Sequence, residues 1–161
     1  MSGDLNTLAG RVGTALKSSG TMLATAESCT GGWVAEVVTS VSGSSEWFDR
    51  GFVTYSNEAK QEMLGVTAAT LDRFGAVSEE TAREMAAGAL SRSRAGIAVA
   101  VTGVAGPTGG TAAKPVGMVC FAWAHGNRVE SETCRFSGDR ESVRCQSVVH
   151  ALEGVIARIQ S

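Results

Sequence analysis

The sequence has no apolar run long enough to span a bilayer. Its apolar runs, such as 97–101, fall far short of the roughly 20 residues a membrane helix needs. The opening MSGDLNTLAG lacks the basic start and apolar core of a secretory signal, so the chain is expected to be cytoplasmic. Clustered Lys and Arg are also missing, and the formal net charge is -2. That argues against nucleic acid as the main partner, because binding a phosphate backbone needs a basic surface. Cysteine is sparse and unpaired. Cys29, Cys120, Cys134 and Cys145 form no C-x-x-C motif, and no histidine stands at zinc-ligand spacing from them. Free thiols in a reducing compartment are expected, and no metal centre. Proline is rare, with two residues, while glycine is plentiful, with 20. Such glycine use suits tight turns and close backbone approach to a ligand.

What is present describes a folded α/β domain. Hydrophobic residues make up 43% and charged residues 19%, which excludes disorder. A length of 161 residues matches one domain, taken as 1–161. Leu5, Leu8, Ala9, Val12 and Leu16 recur at helical spacing before Gly20. A strand over 21–26 is followed by the turn Glu27-Ser28-Cys29-Thr30-Gly31-Gly32. A helix containing Trp33, Val34, Val37 and Val38 comes next. A second strand is predicted over 51–55, then a short helix carrying Lys60 and ending at Gly65. Two more helices cover 67–74 and the segment after Ser78. A fully buried third strand covers 97–101. Strands over 116–124 and 128–136 flank His125-Gly126-Asn127 as a hairpin, and Ser137-Gly138-Asp139 opens a final helix.

Helices alternate with the first three strands, which predicts parallel strands joined by crossovers. The hairpin then adds one antiparallel strand and a fifth that runs parallel again. Open α/β sheets bind ligands beyond the carboxyl ends of their parallel strands. That edge would collect Ser28, Tyr55, Lys60, Thr102, Gly103 and Gly138-Asp139-Arg140, with the glycine-rich loop 103–115 over it.

These residue types suggest nucleophilic catalysis. Ser28 sits where a strand turns into a helix, and the first N–H groups of that helix suit an oxyanion or a phosphate. The plainer alternative is that Ser28 only caps the helix. A serine needs a base, and neither histidine is well placed: His125 falls in the hairpin turn and His150 within the last helix. A Ser-His-Asp triad is thereby disfavoured. Lys60, if desolvated, would have a lowered pKa and act as general base, with Tyr55 relaying or orienting the proton. Otherwise Lys60 is a solvated helix lysine. Cys29, at the same turn, is an alternative nucleophile. Arg140 suits bidentate phosphate recognition.

Six segments carry a wider likeness: Ala26-Glu27-Ser28-Cys29-Thr30-Gly31-Gly32, Gly51-Phe52-Val53-Thr54-Tyr55-Ser56-Asn57-Glu58-Ala59-Lys60, Gly75-Ala76-Val77-Ser78, Thr102-Gly103-Val104-Ala105-Gly106-Pro107, Lys114-Pro115-Val116-Gly117 and Gly138-Asp139-Arg140. Their order and spacing resemble the carboxy-terminal domain of competence/damage-inducible protein CinA over nearly the whole chain. The resemblance implies a three-layer α/β/α sandwich on a mixed, mostly parallel five-stranded sheet whose fourth strand is antiparallel. It implies a nicotinamide-nucleotide amidohydrolase that converts nicotinamide mononucleotide and water to nicotinic acid mononucleotide and ammonia, with no cofactor and no metal. It casts Ser28 as nucleophile, Lys60 as base and Tyr55 as assistant. Cys29, Thr30, Gly31, Gly32, Thr102, Gly103, Gly106 and Arg140 are its expected substrate-binding residues. The N–H groups of the second helix and the loop 103–110 are expected to serve the oxyanion and the phosphate. Longer CinA proteins carry a further amino-terminal domain, so a stand-alone form is expected here. Many relatives have an acidic residue where this chain has Thr108. A homodimer is expected, as small α/β enzymes often pair about a twofold axis. A non-catalytic nucleotide-binding or interaction module of the same fold is the alternative.

Overall fold

The computed structural model describes residues 2–160. Helix α1 (Ser2–Ser19) buries Leu5, Leu8, Val12 and Leu16 along one stripe, as their spacing requires. The remaining elements are β1 (Leu23–Glu27), α2 (Trp33–Thr39), a 3-10 turn (Ser44–Glu46), β2 (Phe48–Val53), α3 (Asn57–Leu64), α4 (Ala68–Phe74), α5 (Glu79–Ser91), β3 (Ile97–Gly103), β4 (Met118–His125), β5 (Arg128–Arg135) and α6 (Arg140–Ile159). They form one five-stranded sheet in the order β2-β1-β3-β4-β5. Strand β1 runs parallel to β2 and β3, whereas β4 is antiparallel to both β3 and β5. The expected mixed sheet is thus observed, together with the strand order that the sequence left open. Among the described residues, no helix is long and apolar enough to cross a membrane.

The strands sort their side chains by size. In β3, Ile97, Val99 and Val101 join the core under α1, α2 and α6, while Ala98 and Ala100 face α5. In β4, Val119, Phe121 and Trp123 alternate in the same way with Cys120, Ala122 and Ala124. Successive strand residues point to opposite faces, so this alternation puts bulk on one side and small side chains on the other. Helix α5 answers with Ala82, Ala86 and Ala89, which lets it lie close against the sheet. On the far face, the Trp123 indole N–H donates to the Ala151 carbonyl at 3.0 Å, so a buried donor is satisfied.

Close approach is most severe where α5 crosses the end of α3. A Cβ on Gly88 would stand 1.9 Å from the Leu64 carbonyl oxygen. Gly88→Ala is expected to lower stability by about 3 kcal/mol, because backbone must move to admit one methyl group. Urea unfolding checks this, and a midpoint equal to the parent's would contradict it.

Some expected boundaries shift. Strand β1 starts at Leu23 rather than Thr21. Strand β2 covers Phe48–Val53, so Tyr55 lies beyond it instead of closing it. His125 ends β4 opposite Arg128 and is not a turn residue. The reason is that a strand begins and ends where its backbone finds partners, whatever its side chains favour. Strand β2 finds its partners in β1 from Phe48 to Val53.

Candidate active site

Ser28 follows β1 directly. Its N–H donates to the Val101 carbonyl at 2.9 Å, and the Thr54 N–H donates to the Glu27 carbonyl at 2.8 Å. The turn is therefore fixed from β3 on one side and from the end of β2 on the other. Ser28 is 8% exposed, enough to meet a ligand at the cleft.

Lys60 reaches this serine from α3. Ser56 caps α3 by accepting from the Ala59 N–H, which places Lys60 in the first helical turn. Helical side chains lean toward the amino terminus, so the long lysine runs back over the segment it has just left. Its Nζ lies 2.9 Å from Ser28 Oγ, 2.9 Å from the Thr54 carbonyl and 3.2 Å from the Tyr55 carbonyl. Because β2 stops at Val53, these two carbonyls are released from the sheet and turn to the lysine. Lys60 is 1% exposed, so it is not the solvated helix lysine of the plainer alternative. Burial pushes its pKa below the ordinary lysine range, since desolvation penalises the charged ammonium.

The three partners define what a neutral amine would do. An NH2 group has two donors and one lone pair. Carbonyl oxygens only accept, so Thr54 and Tyr55 take the two hydrogens. The lone pair is left facing Ser28 Oγ. The ammonium form donates to all three oxygens instead.

Glu27 was not among the residues expected to matter. It is 1% exposed, and its carboxylate closes the amino terminus of α2. Oε1 accepts from the Thr30 hydroxyl at 2.6 Å, the Gly32 N–H at 3.2 Å and the Val34 N–H at 2.9 Å, and Oε2 accepts from the Ala35 N–H at 3.0 Å. This overturns the expectation that the first N–H groups of α2 hold an oxyanion or a phosphate. A protein carboxylate already occupies them, a favourable place for negative charge. The helix cap is Gly32 in the left-handed region, so Ser28 is not the cap either. A glutamate beside Ser28 with Thr three residues on was the available signal.

Arg144 also escaped the sequence. Its Nε donates to the Cys29 carbonyl at 3.1 Å and its Nη2 to the Thr30 carbonyl at 3.0 Å, and its guanidinium lies over the Trp33 ring. It holds the turn after Ser28 from α6. Spacing of four from Arg140 puts both arginines on one helix face, which could have drawn attention to it.

A cleft of about 350 Å³ opens over the pair. Of the residues expected to bind substrate, it brings together Cys29, Thr102, Gly103, Gly106 and Arg140 with Ser28, Lys60 and Tyr55. Thr30, Gly31 and Gly32 do not line it: Thr30 is buried on Glu27, and the two glycines form the entry to α2. Thr108 and Gly109 lie at the cleft. The Thr102 hydroxyl donates to the Ala76 carbonyl at 2.9 Å and ties the loop before α5 to β3. Arg140 donates from Nη1 to the Gly106 carbonyl at 2.8 Å and from Nη2 to the Tyr55 hydroxyl at 3.4 Å. Both acceptors are neutral, so its charge meets no acidic side chain through these bonds. Tyr55 is 62% exposed: its backbone carbonyl serves Lys60 while its hydroxyl serves Arg140.

Cys29 is 6% exposed, and burial pushes its thiol up to about 12. A thiol so placed stays protonated at neutral pH, which removes the low-pKa environment a nucleophilic cysteine needs. Among the described residues, the group able to offer three metal ligands is Glu132, Cys134 and His150, and none of them lines the cleft.

The CinA C-terminal domain family matches residues 5–159. The chain is 55% identical over 152 residues to nicotinamide-nucleotide amidohydrolase PncC of Escherichia coli K12, covering 93% of this chain and 92% of that one. It is 52% identical to the protein of the same name from Pseudomonas putida, covering 94% and 95%. A crystal structure of competence/damage inducible protein CihA from Agrobacterium tumefaciens superposes with a TM-score of 0.94 at 51% identity, covering 98% of this chain and 96% of that one. With a shared sheet, a shared domain length and identity above one half, this chain belongs to the CinA C-terminal domain family.

Proposed function

We propose that this chain is a nicotinamide-nucleotide amidohydrolase that uses Ser28 as nucleophile and Lys60 as its base. The observation that carries the proposal is Lys60 Nζ at 2.9 Å from Ser28 Oγ, with two carbonyls accepting its remaining hydrogens at the base of a cleft. Relatives at 52–55% identity that bear the amidohydrolase name support the choice of substrate.

The chemistry proceeds in two halves. Ser28 Oγ attacks the carboxamide carbon of nicotinamide mononucleotide and gives its proton to Lys60 Nζ. The tetrahedral intermediate collapses, Lys60 returns the proton to the departing nitrogen, and ammonia leaves an ester on Ser28. Water then attacks that ester and passes a proton to Lys60. The acid is released as the proton returns to Ser28 Oγ. Arg140 and the backbone of loop 103–109 serve the phosphate, since the bonds from this guanidinium to Gly106 and Tyr55 go to neutral acceptors and leave its charge for an anion. The same reading carries a cytoplasmic homodimer that needs no cofactor.

The test is to incubate the purified chain with nicotinamide mononucleotide, measuring ammonia enzymatically and nicotinic acid mononucleotide by chromatography. Equal amounts of the two products are expected. A folded chain that binds the nucleotide and releases neither product would leave a binding module in its place. Cys29→Ser separates the two nucleophile assignments. It is expected to lose less than about tenfold in rate, because a thiol held protonated does not carry the reaction. A Cys29→Ser protein without activity would reverse that assignment.

A further inference from the structure

Glu132 and Cys134 stand two residues apart on β5, so both side chains leave the same face of the sheet. Helix α6 covers that face and contributes His150. The His150 Nε2 atom lies 2.8 Å from Glu132 Oε1 and 3.5 Å from Cys134 Sγ. One ligating atom from each residue falls within 4.8 Å of the others. The amide chemistry uses none of these groups.

The surroundings fix each donor. The imidazole packs among aromatic rings, with its centroid 4.6 Å from Phe121 and 5.9 Å from Trp123. Glu132 Oε2 accepts from Arg158 Nη2 at 3.2 Å, which leaves Oε1 turned toward the histidine. Arg158 also pairs with Glu130 at 3.0 Å. A carboxylate steered through its second oxygen is the arrangement that orients metal ligands.

We propose that Glu132 Oε1, Cys134 Sγ and His150 Nε2 form a three-ligand site for a divalent ion of the zinc class, its fourth position open to water. Tetrahedral zinc with bonds of about 2.0–2.3 Å sets neighbouring donors roughly 3.3–3.8 Å apart. The sulfur–nitrogen separation already fits. The oxygen–nitrogen pair has to widen by about 0.5–1 Å to match that geometry. Glu132 has room to turn that far, since its side chain is 44% exposed. A thiolate, an imidazole and a carboxylate suit zinc, whereas magnesium and calcium require oxygen donors throughout. The thiolate and Glu132 together carry the two negative charges that a divalent ion needs, while Glu130 pairs with both Arg158 and Arg128. Binding exchanges the Cys134 S–H bond for a sulfur–metal bond and releases one proton to solvent. The ion would tie the edge strand β5 to α6.

The test uses the whole chain after treatment with chelator. Zn2+ is titrated against a colorimetric indicator, and Co2+ is followed by absorbance. One equivalent of either ion is expected, with a thiolate-to-cobalt charge-transfer band in the near ultraviolet and a raised Tm. Cys134→Ser should remove the band. His150→Gln and Glu132→Gln should each weaken Zn2+ binding by at least about tenfold. Ser28→Ala should keep the band and the stoichiometry, which separates this site from the cleft. No band in the parent chain, a band that survives Cys134→Ser, or Zn2+ binding unchanged in the folded variants would each overturn the assignment.

Discussion

Ser28→Ala is expected to lower the rate of ammonia release from nicotinamide mononucleotide by about 10⁴-fold or more, the loss typical of removing a nucleophile from an acyl-transfer site. The substitution deletes one oxygen whose hydrogen-bond partner is Lys60, and it leaves the backbone bond from Ser28 to Val101 in place. The fold and the cleft should therefore persist. Lys60 keeps its two carbonyl acceptors, so the site remains assembled around an alanine. The loss should fall on kcat, with nucleotide affinity changed little, because the role proposed for the hydroxyl is at the reacting carbon and not at the phosphate. Steady-state kinetics and calorimetric binding on the same preparation separate the two quantities. A folded variant within tenfold of the parent would sink the covalent mechanism and point to direct attack by water.

Lys60→Met is expected to reduce the rate by about 10³-fold, within the range assigned to loss of a general base. It keeps a long apolar side chain in a buried position and deletes the amine. The parent should also show the titration of this group. Its folded pKa is lowered by burial, so activity should rise as pH rises through that value and then level off. A flat profile down to the carboxylate range would count against the role.

Stability carries the same signature with a defined sign. The unfolded chain holds the Lys60 proton up to the ordinary lysine range, while the folded chain gives it up earlier. Between those two values the unfolded state binds more protons, so stability increases with pH across that window. The stabilisation is complete above the ordinary lysine range and is lost as pH falls to the folded value. Cys29, whose thiol is pushed up to about 12, contributes the opposite slope over the same range, so the Lys60 part is the difference between the parent and Lys60→Met, which paired urea titrations at several pH values would reveal. Equal slopes in the two proteins would rule Lys60 out as its source.

Much of this molecule is legible in the order of its residues. The strands and helices follow from period and caps: Ser78 and Asp139 cap α5 and α6, and the run Ile97, Val99, Val101 is buried as its composition demands. The direction of each strand follows from whether a helix or a tight turn joins it to the next. Those directions alone bring Ser28, Thr102 and Arg140 to one edge of the sheet. Where β2 ends is less legible, because Thr54 and Tyr55 have strand-forming side chains and yet leave the sheet. Their carbonyls turn instead to Lys60, a partner six and five residues later, and no propensity describes that.

The sequence by itself determined the fold class, the sheet edge that bears the cleft and the residue types gathered there, because period, capping and connection are local properties of a chain. Only the tertiary structure decided how each polar group is used. It gave the first N–H groups of α2 to Glu27, placed Lys60 against Ser28 with its hydrogens on two carbonyls, anchored the turn with Arg144, and set Cys134 and Glu132 beside His150. A buried donor or acceptor takes the partner that packing places within about 3 Å, and that partner can come from any part of the chain.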